Sequence, residues 1–152
     1  MTREEELTMI RQHGYLAAKN LQQTSPGMTG TELNAQDDNI PDFREAVKKK
    51  NMLDRHAGQA DGFVCQSSAG RVVRLIQNYD SDIHTAEPEE LLAQWRFVWS
   101  TDPAKAKPFI ASSTSYYNKG DCCLNAAGEP RRSKIDVNTF NPDASPEFWE
   151  DP

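Results

Sequence analysis

Gly62-Phe63-Val64-Cys65, followed by Gly70-Arg71-Val72-Val73-Arg74 and closed by Trp95, forms a pattern that the chain repeats. The second copy reads Gly120-Asp121-Cys122-Cys123, then Gly128-Glu129-Pro130-Arg131-Arg132, and is closed by Trp149. In both copies the glycines are eight residues apart, a cysteine follows the first glycine by three, and a proline, Pro88 or Pro142, precedes the tryptophan by seven. Coincident landmarks of this kind indicate an internal structural repeat.

Each copy predicts a β-hairpin that is closed by its tryptophan. Small residues lie between two extended runs, Ser68-Ala69-Gly70 in the first copy and Ala126-Ala127-Gly128 in the second, which is the spacing of a hairpin. Two strands are only marginally stable. Trp95 and Trp149 are therefore expected to be buried closures that supply most of the apolar area of each small core.

The fold class that follows is α+β, with an N-terminal helix and two tandem hairpin modules. We expect the helix in residues 1–24, a linker and irregular lead-in in 25–57, the first module in 58–103 and the second in 104–152. Residues 41–57 allow either a helix or an extended chain, and we favour partly extended chain with a helical turn near Asp42 to Val47. A hydrophobic content of 37% predicts thin cores and association between chains.

The N-terminal helix has clear local signals. Thr2 and Glu5 form a capping-box pattern, and acidic residues fill the first turn. Leu7, Ile10, Ala17 and Leu21 recur on one stripe of the helix. This stripe either docks on the β modules or pairs with copies of itself in a homo-oligomer, and the spacing leaves both alternatives open.

Charge argues against one class of partner. The net charge is −6, whereas nucleic-acid binding needs a basic face, so no nucleic-acid partner is expected. The first residues, Met1 to Glu6, are the opposite of a signal peptide, and no apolar run approaches the length of a membrane span. We expect synthesis in the cytoplasm and no membrane partner.

Reactive chemistry has little support in the sequence. Cys65 and Cys123 occupy equivalent repeat positions and are interpreted as matching core residues, with a disulfide or redox pair as the alternative. The chain has no C-x-x-C motif and its three histidines are scattered, so neither a metal nor a cofactor is expected. It also lacks a Ser-His-Asp order and a glycine-rich phosphate loop, so we expect no enzyme and no catalytic residues.

Carbohydrate recognition has more physical support. Sugar rings stack on exposed aromatic planes while their hydroxyls hydrogen-bond to short polar side chains. The residues that meet this description are Tyr79 with Asn78 and Asp80 in the first copy, and Tyr116, Tyr117, Asn118, Phe140 and Asn141 in the second. We expect Tyr79, Tyr117 and Phe140 on exposed loops. The alternative is that these aromatics cover thin cores or a subunit interface.

Several stretches resemble those of known proteins. The hairpin with its proline and tryptophan is similar to the small chitin- and cellulose-binding modules of secreted glycosidases, a fold also found in tail and receptor-binding regions of bacteriophages. A family of small phage and prophage proteins of gut Firmicutes has stretches similar to Gly30-Thr31-Glu32-Leu33, Gln94-Trp95-Arg96-Phe97-Val98-Trp99, Lys119-Gly120-Asp121-Cys122-Cys123 and Arg132-Ser133-Lys134-Ile135-Asp136. Pro130-Arg131 departs from the apolar-aromatic pair that is usual in such modules.

This resemblance implies a phage or prophage accessory protein that is made in the host cytoplasm and becomes associated with the virion in its tail or host-contact region. The implied partner is a cell-wall or surface glycan. The alternative is a non-catalytic adaptor or inhibitor that binds a virion or host protein without any sugar.

Overall fold

The computed structural model of the chain describes residues 2–48, 63–77, 79 and 82–152, and the side chains of residues 10–15, 19 and 48 lie outside that description. The fold is α+β, as predicted: an N-terminal helix is followed by two hairpin modules, each closed by a tryptophan. The helices are α1 (Arg3–Thr24), α2 (Gly30–Ala35) and α3 (Phe43–Lys48). The strands are β1 (Val64–Gln66), β2 (Val72–Leu75), β3 (Trp95–Phe97), β4 (Lys107–Pro108), β5 (Cys122–Leu124), β6 (Pro130–Ser133) and β7 (Trp149–Glu150).

The two modules build two sheets with the same internal register. The first sheet has the order β1-β2-β3, and the second has the order β4-β5-β6-β7. β4 runs parallel to β5, and all the other neighbours are antiparallel. The equivalent pairs are Cys65 with Val73 and Cys123 with Arg131, then Leu75 with Trp95 and Ser133 with Trp149. The repeat that the sequence indicates is therefore a structural one.

The glycines at the two hairpin tips explain the spacing of the pattern. In the first tip the amide of Ser67 donates to the carbonyl of Arg71 (2.9 Å), and the amide of Gly70 donates to the carbonyl of Ser67 (2.8 Å). Asn125 and Gly128 make the same two bonds in the second tip, at 3.0 Å each. Gly70 and Gly128 have φ angles of 83° and 78°. Glycine adopts this left-handed conformation without steric cost, so both tips require it.

A carboxylate from the closing segment holds each tip. Glu87 accepts a hydrogen bond from the amide of Ser68 (2.8 Å), and Asp143 accepts one from the amide of Ala126 (2.9 Å). Burial alone would raise the pKa of Glu87, but hydrogen bonds from Ser68 and Arg44 outweigh it and lower that pKa below its ordinary value. The closing segments, which differ in length, are thus tied to their hairpins at the same point.

The repeat begins earlier than the sequence pattern indicates. Asp42 forms a parallel bridge with Gln66, as Pro108 does with Leu124. The next residue in each copy is a phenylalanine that meets the closing tryptophan edge-on, with ring centroids 5.8 Å apart for Phe43 and Trp95 and 6.1 Å apart for Phe109 and Trp149. α3 starts at that phenylalanine in the first copy, so the expected helical turn after an extended residue is confirmed. Residues 49–57 of the lead-in lie outside the described part of the chain.

The two modules share one core. Tyr117 of the second module stacks on Trp99 at the end of the first, with ring centroids 4.3 Å apart and 13° between the ring planes. Trp99 also stacks on Phe97 at 5.7 Å, and Tyr117 stacks on Phe109 at 5.5 Å. Trp95 and Trp149 are buried against this layer. A continuous aromatic layer thus joins two modules that would each be too small for independent stability.

Among the described side chains of helix α1, those that are buried against the β modules lie at its C-terminal end. The capping box between Thr2 and Glu5 is present. Leu21 is buried, and the side-chain amide of Gln22 pairs with the backbone of Val64, donating to its carbonyl (2.6 Å) and accepting from its amide (2.9 Å). Leu7, at the other end of the stripe, is exposed, and the side chain of Ile10 lies outside the description. The predicted stripe is therefore divided between a docked end and an exposed end.

The three cysteines are free and buried. Cys65 and Cys123 belong to the shared core, as expected from their equivalent positions. Burial raises the pKa of both thiols, that of Cys123 to about 12. Because the thiolate is the reactive form of cysteine, burial and the raised pKa disfavour reaction of these two thiols at neutral pH.

Candidate functional site

An open groove with a volume of about 1060 Å³ lies on the side of the first sheet that faces away from the shared core. Its floor includes Arg74 in β2, Ile76 directly after that strand, and Arg96 to Trp99 along and beyond β3. One wall comes from the chain before and at the start of α2, with Pro26, Met28 and Gly30. The opposite wall comes from the loop before β5, with Ser113 to Tyr116, Asn118 and Asp121. The groove thus lies between the two modules and the helical segment.

Strand alternation places the two arginines on the floor. Val73, Leu75, Trp95 and Phe97 belong to the shared core, so Arg74 and Arg96, which lie between them, point to the opposite face. The two arginines are direct cross-strand partners in the register of β2 and β3. In an antiparallel pair, directly opposite Cβ atoms are about 5 Å apart. Two guanidinium groups therefore line the same stretch of the groove.

Arg74 is held firmly in this position. Its side chain is almost fully buried, and Nη2 donates to the carbonyls of Ser25 (2.8 Å) and Met28 (3.1 Å). A guanidinium does not lose its proton in proteins, so Arg74 is a fixed positive charge. Arg96 is exposed. The floor thus combines a buried guanidinium with an exposed one.

The wall opposite is fixed to the end of the first sheet. Ser115 Oγ accepts a hydrogen bond from the amide of Phe97 (2.9 Å), and the carbonyl of Ser115 accepts one from Trp99 Nε1 (2.8 Å). Tyr116 follows and is 39% exposed. Because its two neighbours, Ser115 and Tyr117, are buried, the Tyr116 ring is displayed on the groove side from a rigid backbone.

Asn118 and Asp121 form the polar end of this wall. The amide of Asn118 donates to Asp121 Oδ2 (2.8 Å), and Asn118 Oδ1 accepts from the amide of Val137 (3.3 Å). Burial raises the pKa of Asp121; the bond from Asn118 opposes this rise, and the nearby Asp136 adds to it. The wall therefore offers a side-chain amide and a carboxyl group beside the exposed tyrosine.

The structure brings together some of the predicted carbohydrate-binding residues and separates others. Tyr116 and Asn118 both line the groove. Phe140 and Asn141 are exposed but do not line it. Phe140 stacks on Phe148 with ring centroids 4.2 Å apart, and Asn141 Oδ1 accepts from the amide of Asp143 (2.8 Å), which stabilises the local turn.

The expectation that Tyr79 and Tyr117 lie on exposed loops is wrong. Tyr79 is 3% exposed, lies edge-on to Trp95 at 5.3 Å, and donates its hydroxyl hydrogen to the carbonyl of His84. Tyr117 is fully buried in the aromatic layer. Both rings complete the thin core because the hairpins alone leave their closing tryptophans uncovered, so neither can stack on a ligand. Asn78 and Asp80 lie outside the described residues.

Sequence reasoning missed the two arginines and the hydroxyl groups of Ser113, Thr114 and Ser115. The signal for the arginines was present, because Val-Arg-Leu in β2 and Trp-Arg-Phe in β3 each place one arginine between apolar residues. Aligning the strands by their closing tryptophan would have placed Arg74 opposite Arg96. The serine-rich loop gives no such signal, because its position depends on backbone contacts with β3.

The described residues were also searched for a metal-binding cluster and for a membrane-spanning helix. Within the described ranges, no group of three or more His, Cys, Asp and Glu side chains could hold a metal ion. Among the helices that the structure describes, none has both the length and the apolar character needed to cross a membrane. No protein-family model, curated protein or solved structure matches the chain. The function must therefore be argued from the groove itself.

Proposed function

We propose that this protein is a non-catalytic carbohydrate-binding protein and that the groove is its binding site. The observation that carries the proposal is the display of Tyr116 on the groove wall, next to Asn118 and the hydroxyl groups of Ser113 and Thr114. An aromatic plane beside short polar side chains suits a sugar ring, which has apolar C–H faces and hydroxyl groups at its edge.

The shape of the site supports a polymer as the ligand. The groove is open to solvent rather than enclosed, and the backbone of one wall is fixed by the contacts of Ser115 with β3. A rigid open groove admits internal segments of a long chain and loses little conformational entropy on binding. A cell-wall or surface polysaccharide is therefore a suitable ligand.

The biological setting that we propose comes from the sequence resemblance described above. A phage or prophage accessory protein in the tail or host-contact region would encounter such a polysaccharide on the surface of the host. Binding at this surface needs recognition without bond cleavage. A groove whose polar groups serve to orient a ligand is consistent with that role.

The test is the substitution of Tyr116 by alanine, with Phe140→Ala as a matched control. Both side chains are aromatic, belong to the second module and have similar exposure, 39% and 43%, but only Tyr116 lines the groove. A glycan array and calorimetry with isolated host cell-wall polysaccharide should show binding by the wild type. Nucleic-acid bases gain roughly 1–3 kcal/mol from stacking on an aromatic side chain. We expect a sugar ring to gain a comparable amount, so Tyr116→Ala should weaken binding by about tenfold or more. Equal loss in both variants, or no loss in Tyr116→Ala, would contradict the proposal.

A second candidate function, an adaptor that works through protein contacts, has one observation in its favour. The outer part of α1 exposes Leu7, Met9 and Leu16, at 43%, 55% and 59%. Exposed apolar side chains of this kind on a helix suit contact with a virion or host protein, or with a second copy of the chain.

Double substitution of Leu7 and Leu16 by glutamine tests this candidate. Removing residues 1–24 would be unsuitable, because Leu21 and Gln22 are buried and contribute to the fold. If α1 pairs chains, light scattering should show a higher mass for the wild type than for the variant, while both keep the same unfolding midpoint. A wild-type monomer would exclude self-association, and retention of glycan binding by the variant would separate the two functions.

A further inference from the structure

We infer that Val137 is a further carbohydrate-binding residue, and that the ligand extends from the groove over its rim to contact the Val137 side chain. This inference rests on the proposed carbohydrate-binding function and adds a contact outside the groove lining. It is carried by a valine that the fold holds in an unfavourable backbone conformation and yet leaves exposed.

The backbone of Val137 is left-handed, with a φ angle of 51°. The other described residues with a positive φ are glycines, namely Gly70, Gly120 and Gly128. Glycine adopts such angles without steric cost, whereas a β-branched side chain crowds its own backbone there. Turn geometry alone would therefore favour glycine or asparagine at residue 137.

Packing does not account for the valine either. Val137 is 59% exposed, so little apolar area is removed from water in return for the strain. The next residue, Asn138, is fully buried and exchanges two backbone hydrogen bonds with Tyr117, at 3.0 and 2.7 Å. These bonds fix the backbone beside Val137 and hold the strained conformation in place. Strained residues that their surroundings fix in this way cluster at functional sites and ligand clamps.

Val137 adjoins the polar end of the groove wall. Its amide donates a hydrogen bond to Asn118 Oδ1 (3.3 Å), and Asn118 lines the groove. The Cβ atom of Val137 is two bonds from this amide nitrogen, so the side chain lies beside Asn118 at the rim. Tyr116 and Asn118 are two residues apart in extended chain and face the same side. An apolar side chain thus continues the surface that Tyr116 and Asn118 begin.

A ligand of two or more sugar residues can use all three side chains. One ring stacks on Tyr116. Asn118 Oδ1 already accepts from Val137, which orients Nδ2 as a donor to a sugar hydroxyl. The C–H groups of the neighbouring sugar residue then pack on the methyl groups of Val137, which removes apolar surface of both partners from water. The ligand class is therefore an oligosaccharide or polysaccharide rather than a single sugar.

The test is calorimetry of the full chain with cellopentaose, N-acetylchitopentaose and polysaccharide isolated from host cell walls. Val137→Thr keeps the β-branch and the strained backbone but replaces one methyl group by a hydroxyl. It should leave the urea midpoint unchanged and weaken binding of the probe that the wild type binds by about fourfold. Ile83→Thr is the matched control, because Ile83 is also β-branched and is 72% exposed but does not line the groove. The control should keep the wild-type affinity.

Val137→Gly separates binding from folding. Glycine relieves the left-handed conformation, so this variant should be more stable, with its urea midpoint raised by about 0.3–0.5 M. It also removes the whole side chain and should weaken binding by about tenfold or more. A gain in stability with a loss of affinity is expected of a residue that serves ligand contact. A lower midpoint for Val137→Gly would show that the valine serves the fold, and would overturn the inference.

NMR of protein with labelled valine methyl groups observes the contact directly. We expect nuclear Overhauser effects between the Val137 methyl groups and sugar protons of the bound probe. If Tyr116→Ala weakens binding but both Val137 variants bind as the wild type does and no such effect appears, the groove binds carbohydrate and the inference about Val137 is overturned. If no probe binds the wild type at millimolar concentration, the carbohydrate-binding proposal fails and the inference fails with it.

Discussion

Gly30 allows α2 to lie against the end of the first sheet, and its replacement by alanine should disrupt that contact. A Cβ atom at residue 30 would lie 2.1 Å from the carbonyl oxygen of Trp99 and 3.0 Å from a methyl carbon of Val98. The closest contact is with backbone, so no side-chain rotation can relieve it. Since carbon and oxygen atoms rarely approach closer than about 3.3 Å, α2 would have to move away by roughly 1 Å.

This movement would cost several contacts. Asn34 Nδ2 donates to the carbonyl of Val98 (3.0 Å), and Thr31 Oγ1 accepts from the amide of Thr101 (3.0 Å). Each such bond contributes about 1 kcal/mol net. The fully buried Leu33 on the same helix would also lose packing, and an overpacked contact costs about 1–3 kcal/mol. Alanine offsets roughly 1 kcal/mol through its better helix propensity, which leaves a net loss of about 2–4 kcal/mol.

Equilibrium unfolding in urea, followed by tryptophan fluorescence, measures this loss. With a typical dependence of about 2 kcal/mol per molar urea, Gly30→Ala should lower the midpoint by about 1–2 M. Gly27→Ala is the matched control, because no atom lies within 4 Å of a Cβ at that residue, and its free energy of unfolding should stay within about 0.5 kcal/mol of the wild type. Equal midpoints for the two variants would refute the close packing of α2 on the sheet.

The turn glycines, Asp121 and the buried cysteines each give a prediction that can be measured. Gly70→Ala and Gly128→Ala should each cost about 1–2 kcal/mol through the left-handed φ alone, since neither site is sterically closed; urea unfolding would contradict this if only one of them destabilised the protein. Because the pKa of Asp121 is raised in the folded state, its contribution to stability should fall as pH rises from its ordinary pKa through the raised one. Asp121→Asn should remove that fall, as measured by thermal melting between pH 3 and pH 7; an unchanged profile would show that Asp121 is not its source. Cys65 and Cys123 should not react with a thiol reagent at pH 8 until the protein is unfolded, and rapid modification of the folded protein would refute their burial.

The repeated landmarks predicted much of the fold because each has a local physical cause. Gly70 and Gly128 are required by turn geometry, and Trp95 and Trp149 are required to cover a two-stranded hairpin. The capping box at Thr2 and Glu5 is equally local. Such features depend on neighbours in sequence, so a single sequence is enough to place them.

The exposure of the aromatic residues could not be predicted in the same way. Tyr79 and Tyr117 have polar neighbours in sequence and follow the pattern of loop aromatics, but their burial depends on contacts with Trp95 and Trp99, which lie many residues away. The groove depends on how α2 and the loop before β5 are placed against the first sheet. These long-range contacts leave no periodic signal, so the sequence could suggest Tyr116 and Asn118 without showing that they face Arg74 and Arg96.

The less apolar second module is stabilised by a residue that also positions one wall of the candidate site. Ser133 stands where the first module has Leu75, and it is buried with Asn138, whose Nδ2 donates to Ser133 Oγ (2.9 Å). Apolar packing in the second module comes from Tyr117, which stacks on Trp99 and lies edge-on to Trp149 at 5.3 Å. Tyr117 is fixed by two backbone hydrogen bonds with Asn138, at 3.0 and 2.7 Å. Because adjacent residues in extended chain point in opposite directions, burying Tyr117 displays Tyr116. The packing of Tyr117 in the core and the exposure of the Tyr116 ring in the groove are therefore two consequences of one backbone position.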